Sequence, residues 1–194
     1  MAEPMRAEPR RFTYADYASW PEHERWELID GVPYDMSPSP IQVHQEIGGE
    51  VYRQFANFLL DHPCRVYTAP FDVRLPRPGE SSLTTSTVVQ PDVLVVCDPE
   101  KLDGKSVVGA PTLVVEVTSP ATAGKDLREK RAAYERAGVP EYWVISPTDK
   151  TVQVYTLDER GRYGAPAVYT ADDSLPVGVL PELQIDLARV FADR

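Results

Sequence analysis

Two short β-branched runs, Val93–Val96 and Leu113–Val117, each keep a carboxylate where burial makes one costly. Asp92 opens the first run, and Glu116 interrupts the second between Val115 and Val117. Runs of this length and branching read as strands covered on both faces. A glutamate held inside such a strand requires a partner, because an unpaired buried charge costs several kcal/mol or neutralises itself.

The next segment offers that partner. Thr122–Ala137 is predicted as a helix, with Gly138 as its stop signal and Pro140 just beyond. Leu127, Tyr134 and Ala137 form its less polar stripe, and Lys130 falls within the stripe, three residues after Leu127 and four before Tyr134. Lys125, Arg128, Arg131 and Arg136 occupy the exposed face. The helix leads into a strand at Tyr142–Ile145, and a right-handed crossover would lay it on the sheet. Asp92, Glu116 and Lys130 can then converge, either as a metal site with a cationic helper or as a structural ion pair.

At 194 residues the chain suits one domain with a sizeable core. Residues 1–11 are expected to be disordered, and 12–194 to form the domain. No apolar run approaches the length of a membrane span, and the N-terminus lacks the apolar core of a signal peptide. Cys64 and Cys97 lack metal-ligand spacing, Cys97 reads as a small core residue, and a cytoplasmic location is the default. The net charge of −10 argues against gripping nucleic acid over a broad basic surface. It does not exclude a metal-dependent phosphodiesterase, whose carboxylates cluster at the metal. The 122–137 helix is locally basic, with five basic against three acidic side chains, so phosphate contacts are expected there.

Upstream, Arg25–Ile29 and Val32–Met36 read as a hairpin around Asp30-Gly31. Glu27 lies two residues from Ile29 and so shares its face. Pro38 to Pro40 break the chain before a long amphipathic helix, about Ile41 to Leu60, whose stripe includes His44. Gly48-Gly49 inside that helix costs roughly 1 kcal/mol per glycine against alanine. Close packing on the sheet, or a phosphate approaching the backbone, would account for the pair. Strands follow at Cys64–Thr68 and Phe71–Leu75, and residues 76–87 form a mobile loop, a candidate lid or substrate contact. Thr151–Leu157 pairs with the Tyr142 strand, Ala167–Thr170 adds another, and Leu180–Phe191 closes the chain with a short helix. The class is α/β, with a mixed sheet of roughly six to eight strands.

With these residues in view the chain resembles the Uma family of putative restriction endonucleases, a branch of the PD-(D/E)XK nuclease superfamily. The matching pieces are Trp26-Glu27-Leu28-Ile29-Asp30-Gly31, His44, Pro91-Asp92-Val93, Glu116-Val117-Thr118-Ser119-Pro120, and the run from Asp126 through Lys130 and Tyr134 to Trp143. Each is short, but their order and spacing together are specific. Thr118 stands where the superfamily name places lysine, and the resemblance implies that Lys130 supplies it from the following helix.

The resemblance implies a single domain with a central mixed β-sheet flanked by helices, and catalytic roles for Asp92, Glu116, Lys130, Glu27 and His44. It implies Mg²⁺ bound by Asp92, Glu116 and the carbonyl of Val117, with Mn²⁺ able to substitute. Glu27 could hold a second metal. Hydrolysis of DNA phosphodiester bonds by a homodimer is the activity implied, with the hairpin Thr151–Tyr169 as candidate interface. Two other readings remain open: a catalytically silent nucleic-acid- or protein-binding module, and a hydrolase of small phosphate esters. No Walker loop, GxGxxG, GxSxG, CxxC or HExxH occurs to suggest different chemistry.

Overall fold

The computed structural model describes residues 10–21, 23–36, 41–119, 124 and 126–192. The predicted chain break at 38–40, the helix start at Thr122 and nearly all of segment 1–11 lie outside the described residues.

The described strands divide between two mixed sheets and a two-stranded ribbon rather than forming one sheet. The first sheet runs β2 (Val32–Asp35), β1 (Trp26–Ile29), β5 (Val88–Val89), β4 (Asp72–Arg74), β7 (Ser106–Val108). The second runs β11 (Ala167–Thr170), β10 (Thr151–Thr156), β9 (Glu141–Ser146), β8 (Leu113–Val117), β6 (Val93–Val96), β3 (Arg65–Thr68). β12 (Ser174–Pro176) and β13 (Gln184–Asp186) form the ribbon. β5, β7 and the ribbon strands are two or three residues long, too short for alternation to register in sequence.

The local chemistry sets several of these elements. Asp30 and Gly31 take positive φ, 52° and 78°, which makes the tight β1–β2 turn. The amphipathic helix α2 spans Gln42–Phe58. The predicted 122–137 helix is seen as a π-helical segment, Asp126–Lys130, running into α3 (Arg131–Ala137). Gly138 caps α3 in the left-handed region at φ 84°. β8 and β9 lie parallel, with Val115 opposite Trp143, so the strand–helix–strand unit is present.

Alternation along β6 and β8 assigns their side chains to two cores. Val93, Val95, Leu113, Val115 and Val117 face Ile47, Val51 and Phe55 of α2, together with the C-terminal ribbon and α4 (Leu187–Val190). Leu94, Val96 and Val114 face the opposite way, toward Ala133 and Tyr134 of α3 and toward Ile29, Val73 and Val89 of the first sheet. α3 and the first sheet thus share one side of the second sheet. Glu116 falls on this side by parity with Val114.

Cys64 and Cys97 are disulfide-bonded across the β3–β6 pair, which corrects the reading of Cys97 as an unpaired core residue. Val96 pairs with Arg65, so the next cross-strand position brings the two cysteines face to face. The cysteine pattern therefore carries no argument for a reducing compartment. Nor is the 76–87 loop free of the body. Thr85 is fully buried, the Thr85 and Leu83 carbonyls accept the Tyr14 and Ala15 N–H groups, and Glu80 accepts the Ser86 hydroxyl at 2.6 Å.

The C-terminal tail is fastened by Glu141, at the start of β9 and 1% exposed. Its carboxylate accepts the Trp143 indole N–H at 2.7 Å and the Val179 N–H at 2.9 Å. Burial raises the Glu141 carboxyl above its usual range, against the pull of these hydrogen bonds. A group with a raised folded pKa favours folding below its unfolded pKa, and that contribution is lost as pH rises through the folded value. Between about pH 4 and 7 the native chain should therefore lose stability relative to Glu141→Gln, which does not titrate. Urea midpoints at the two pH values test this, and the opposite trend would reject it.

Candidate functional site

The site is assembled where the two sheets and α3 meet. β1 supplies Glu27, fully buried on the face it shares with Ile29. β8 supplies Glu116, 3% exposed. Val93 pairs with Val115, so one step further along the ladder Asp92 opposes Glu116. Lys130, 2% exposed, ends the π-helical segment immediately before α3.

The Lys130 ammonium lies 2.7 Å from Glu27 Oε1 and 2.9 Å from Glu116 Oε1. The remaining contacts are donors to carboxylates. The Tyr134 hydroxyl donates to Glu116 Oε1 at 2.7 Å, and the Gln90 backbone N–H donates to Glu27 Oε1 at 3.0 Å. Asp92 Oδ2 accepts the Val117 N–H at 2.7 Å and lies 3.2 Å from His44 Nε2 of α2. Burial, then the Glu116 and Glu27 carboxylates, push the Tyr134 phenol well above its ordinary range. Tyr134 therefore stays protonated and remains a donor.

Tyr134 and Gln90 are members that sequence reasoning did not place in the site. Tyr134 had a signal, since it follows Lys130 by one helical turn. The Gln90 contribution is a backbone N–H, which no side-chain pattern reports.

Three carboxylates thus meet one lysine and one histidine. The Asp92 and Glu116 carboxylates and the Val117 carbonyl are hard oxygen donors, the class that Mg²⁺ takes. Among the described residues no three His, Cys, Asp or Glu side chains converge closely enough to hold a metal by themselves. The donor set therefore fits an ion that keeps several waters, not a closed cage. Glu27, bound to Lys130, is occupied in positioning that ammonium. The side chains of His44 and Asp92 are 14% and 21% exposed, so the cluster meets solvent on their side.

Two expectations around the site change. A Cβ added at Gly48 or Gly49 would meet nothing within 4 Å, so close packing does not explain the glycine pair. Open helix backbone one turn beyond His44 is what the sequence leaves there. The basic face of the predicted helix is partly neutralised, since Arg136 and Arg77 both reach Asp30 Oδ1, at 2.7 and 2.6 Å.

Lys130→Met, expected from sequence to leave the fold intact, would strand two buried carboxylates. Loss of one partner from a buried ion pair typically costs about 3–5 kcal/mol. Chemical denaturation should show a destabilisation of about that size. A change under about 1 kcal/mol would mean that Lys130 does not hold the two carboxylates.

A family model described as "Uma2: Putative restriction endonuclease" matches residues 14–188. An uncharacterised protein of Synechocystis sp. (strain ATCC 27184 / PCC 6803 / Kazusa) is 27% identical over 149 residues, 75% of this chain and 74% of its own length. The crystal structure of a protein from Anabaena variabilis ATCC 29413, titled a putative nuclease of DUF820, superposes with a TM-score of 0.74 at 19% identity. That match covers 93% of this chain and 98% of the other, and it shows the shared fold.

Proposed function

The chain belongs to the Uma2 family of putative restriction endonucleases, and from that premise we propose that it is a metal-dependent endonuclease hydrolysing DNA phosphodiester bonds. The observation that carries the reading is the opposition of Asp92 and Glu116 across β6 and β8, with the Lys130 ammonium 2.9 Å from Glu116. This is the relocated lysine of the PD-(D/E)XK pattern, with Thr118 in the usual lysine position.

Asp92, Glu116 and the Val117 carbonyl would hold Mg²⁺, or Mn²⁺ in its place. When bound, such an ion offsets charge on the phosphate and lowers the pKa of a coordinated water. His44 positions the Asp92 carboxylate, and Glu27 positions Lys130. The Lys130 ammonium supplies fixed positive charge beside Glu116, where negative charge develops on the phosphate. The exposed backbone at Gly48-Gly49 leaves room for a phosphate beside His44.

The charge count favours this over a purely structural ion pair. Three carboxylates against one lysine and one histidine leave an excess of negative charge that a divalent cation would offset. The direct test is cleavage of plasmid and single-stranded DNA with Mg²⁺ or Mn²⁺, together with Mn²⁺ calorimetry. Asp92→Ala should abolish cleavage and weaken Mn²⁺ binding at least about tenfold. Equal binding by variant and parent would remove the site.

Cutting both strands would require two such sites, which a two-fold dimer supplies. β11 is the edge of the second sheet and carries Val168 at 60% exposure, so the β10–β11 hairpin is the proposed contact. Sedimentation at micromolar concentration should give a dimer, and Val168→Lys should give a monomer. A monomeric parent would reject the assembly.

A further inference from the structure

Beside the carboxylate–lysine cluster lies a cleft of about 700 Å³. Tyr17, Trp20, Trp26 and Phe71 give it aromatic surfaces. Trp20 is held by edge-on packing, 5.8 Å from Trp26 at 71° and 5.5 Å from Phe12 at 75°. Both tryptophans stay partly exposed. Trp143, in contrast, is fully buried in the core. Partly exposed indoles fixed around a cleft are the means by which proteins stack planar ligands.

The cleft also carries hydrogen-bonding groups. The Tyr17 hydroxyl and the Gln90 amide both donate to Asp72 Oδ1, each at 2.9 Å. Burial and the Asp72 carboxylate push the Tyr17 phenol above its ordinary range, so its hydroxyl remains a donor. Arg25 donates to Gln90 Oε1 at 3.2 Å, and its own Nε is buried with no hydrogen-bond partner among the described residues. Arg25 and the exposed Lys105 give the cleft positive charge. Its preferred ligand is therefore planar, offers hydrogen-bonding edges and is attached to an anion.

Covalent continuity ties the cleft to the cluster. Gln90 lines the cleft with its side chain while its backbone N–H holds Glu27. Asp92 follows Gln90 by two residues, and Trp26 immediately precedes Glu27. We infer that the cleft takes one unpaired nucleobase of the strand whose phosphate is presented to Asp92 and Glu116. The inference rests on the nuclease reading above, and it makes a single-stranded or locally opened strand the preferred substrate.

The test separates base from phosphate. Anisotropy in metal-free buffer compares a labelled short single strand with the same strand lacking its bases. The base-bearing strand should bind about 5-fold tighter or more, Trp20→Ala should remove most of that advantage, and Trp20→Phe should retain it. Tryptophan fluorescence of the unmodified protein, which needs no variant to fold, should be quenched by the base-bearing strand and not by the abasic one. Equal binding of the two strands, absence of quenching, or a folded Trp20→Ala with undiminished preference each overturns the inference. Binding is read without metal, so the two readings fail separately. Base-dependent binding without Mg²⁺-dependent cleavage keeps the cleft and removes the nuclease. Cleavage with base-independent binding does the reverse.

Discussion

The ammonium of Lys130 ties three parts of the molecule together. Its two carboxylate partners come from different sheets, Glu27 from β1 and Glu116 from β8, and the lysine itself enters from the segment leading into α3. Apolar packing between the sheets and α3 supplies the bulk of the driving force, through Ile29, Val73 and Val89 against Leu94, Val114 and Tyr134. Such packing is tolerant of small shifts. A buried ammonium with two oxygens under 3 Å away is not, because desolvated charges are stabilised only in good geometry. The triad therefore fixes the relative position of elements that hydrophobic contact alone would leave adjustable.

The fold tolerates its excess of negative charge because each carboxylate receives a specific donor. Glu27 takes the Gln90 N–H, Glu116 takes the Tyr134 hydroxyl, and Asp92 takes the Val117 N–H. The last bond has a simple origin. Pro91 ends the ladder at the start of β6, and the Asp92 side chain accepts the Val117 N–H at the end of β8. The same bond aims Asp92 toward Glu116 and His44. The relief of like-charge repulsion on deleting Asp92 is thus set against the loss of two contacts, the Val117 N–H and the His44 imidazole.

Much of this was legible in the residues because burial constrains carboxylates and lysines severely. Glu116 could be assigned to one face by alternation, Lys130 to the sheet by helical spacing, and Glu27 to the face of Ile29 by parity. The division into two sheets was not legible, since β5 and β7 are too short to show a period and pair across large sequence separations. The disulfide was missed because cysteine spacing does not report cross-strand register. The glycine pair in α2 was read as packing, yet both positions face open space. Backbone donors such as the Gln90 N–H leave no trace in a side-chain pattern at all.

A chain with a net charge of −10 needs some means of approaching a polyanion, and its basic groups divide into two kinds. Lys130 is fixed, since moving it would strand two buried carboxylates. Arg77 and Arg136 share the partly exposed Asp30, and Arg11 donates to the Asp30 carbonyl. Surface pairs of this sort are typically worth about 0–1 kcal/mol. An arginine can therefore exchange its carboxylate for a phosphate oxygen at little cost, whereas the interior lysine cannot exchange its partners at all. Under the nuclease reading the exchangeable arginines on the β1–β2 turn would meet the backbone of the nucleic acid. The fixed lysine would set the geometry in which a phosphate meets Asp92 and Glu116. Acidity over the rest of the surface then limits the footprint to that side of the molecule instead of preventing contact.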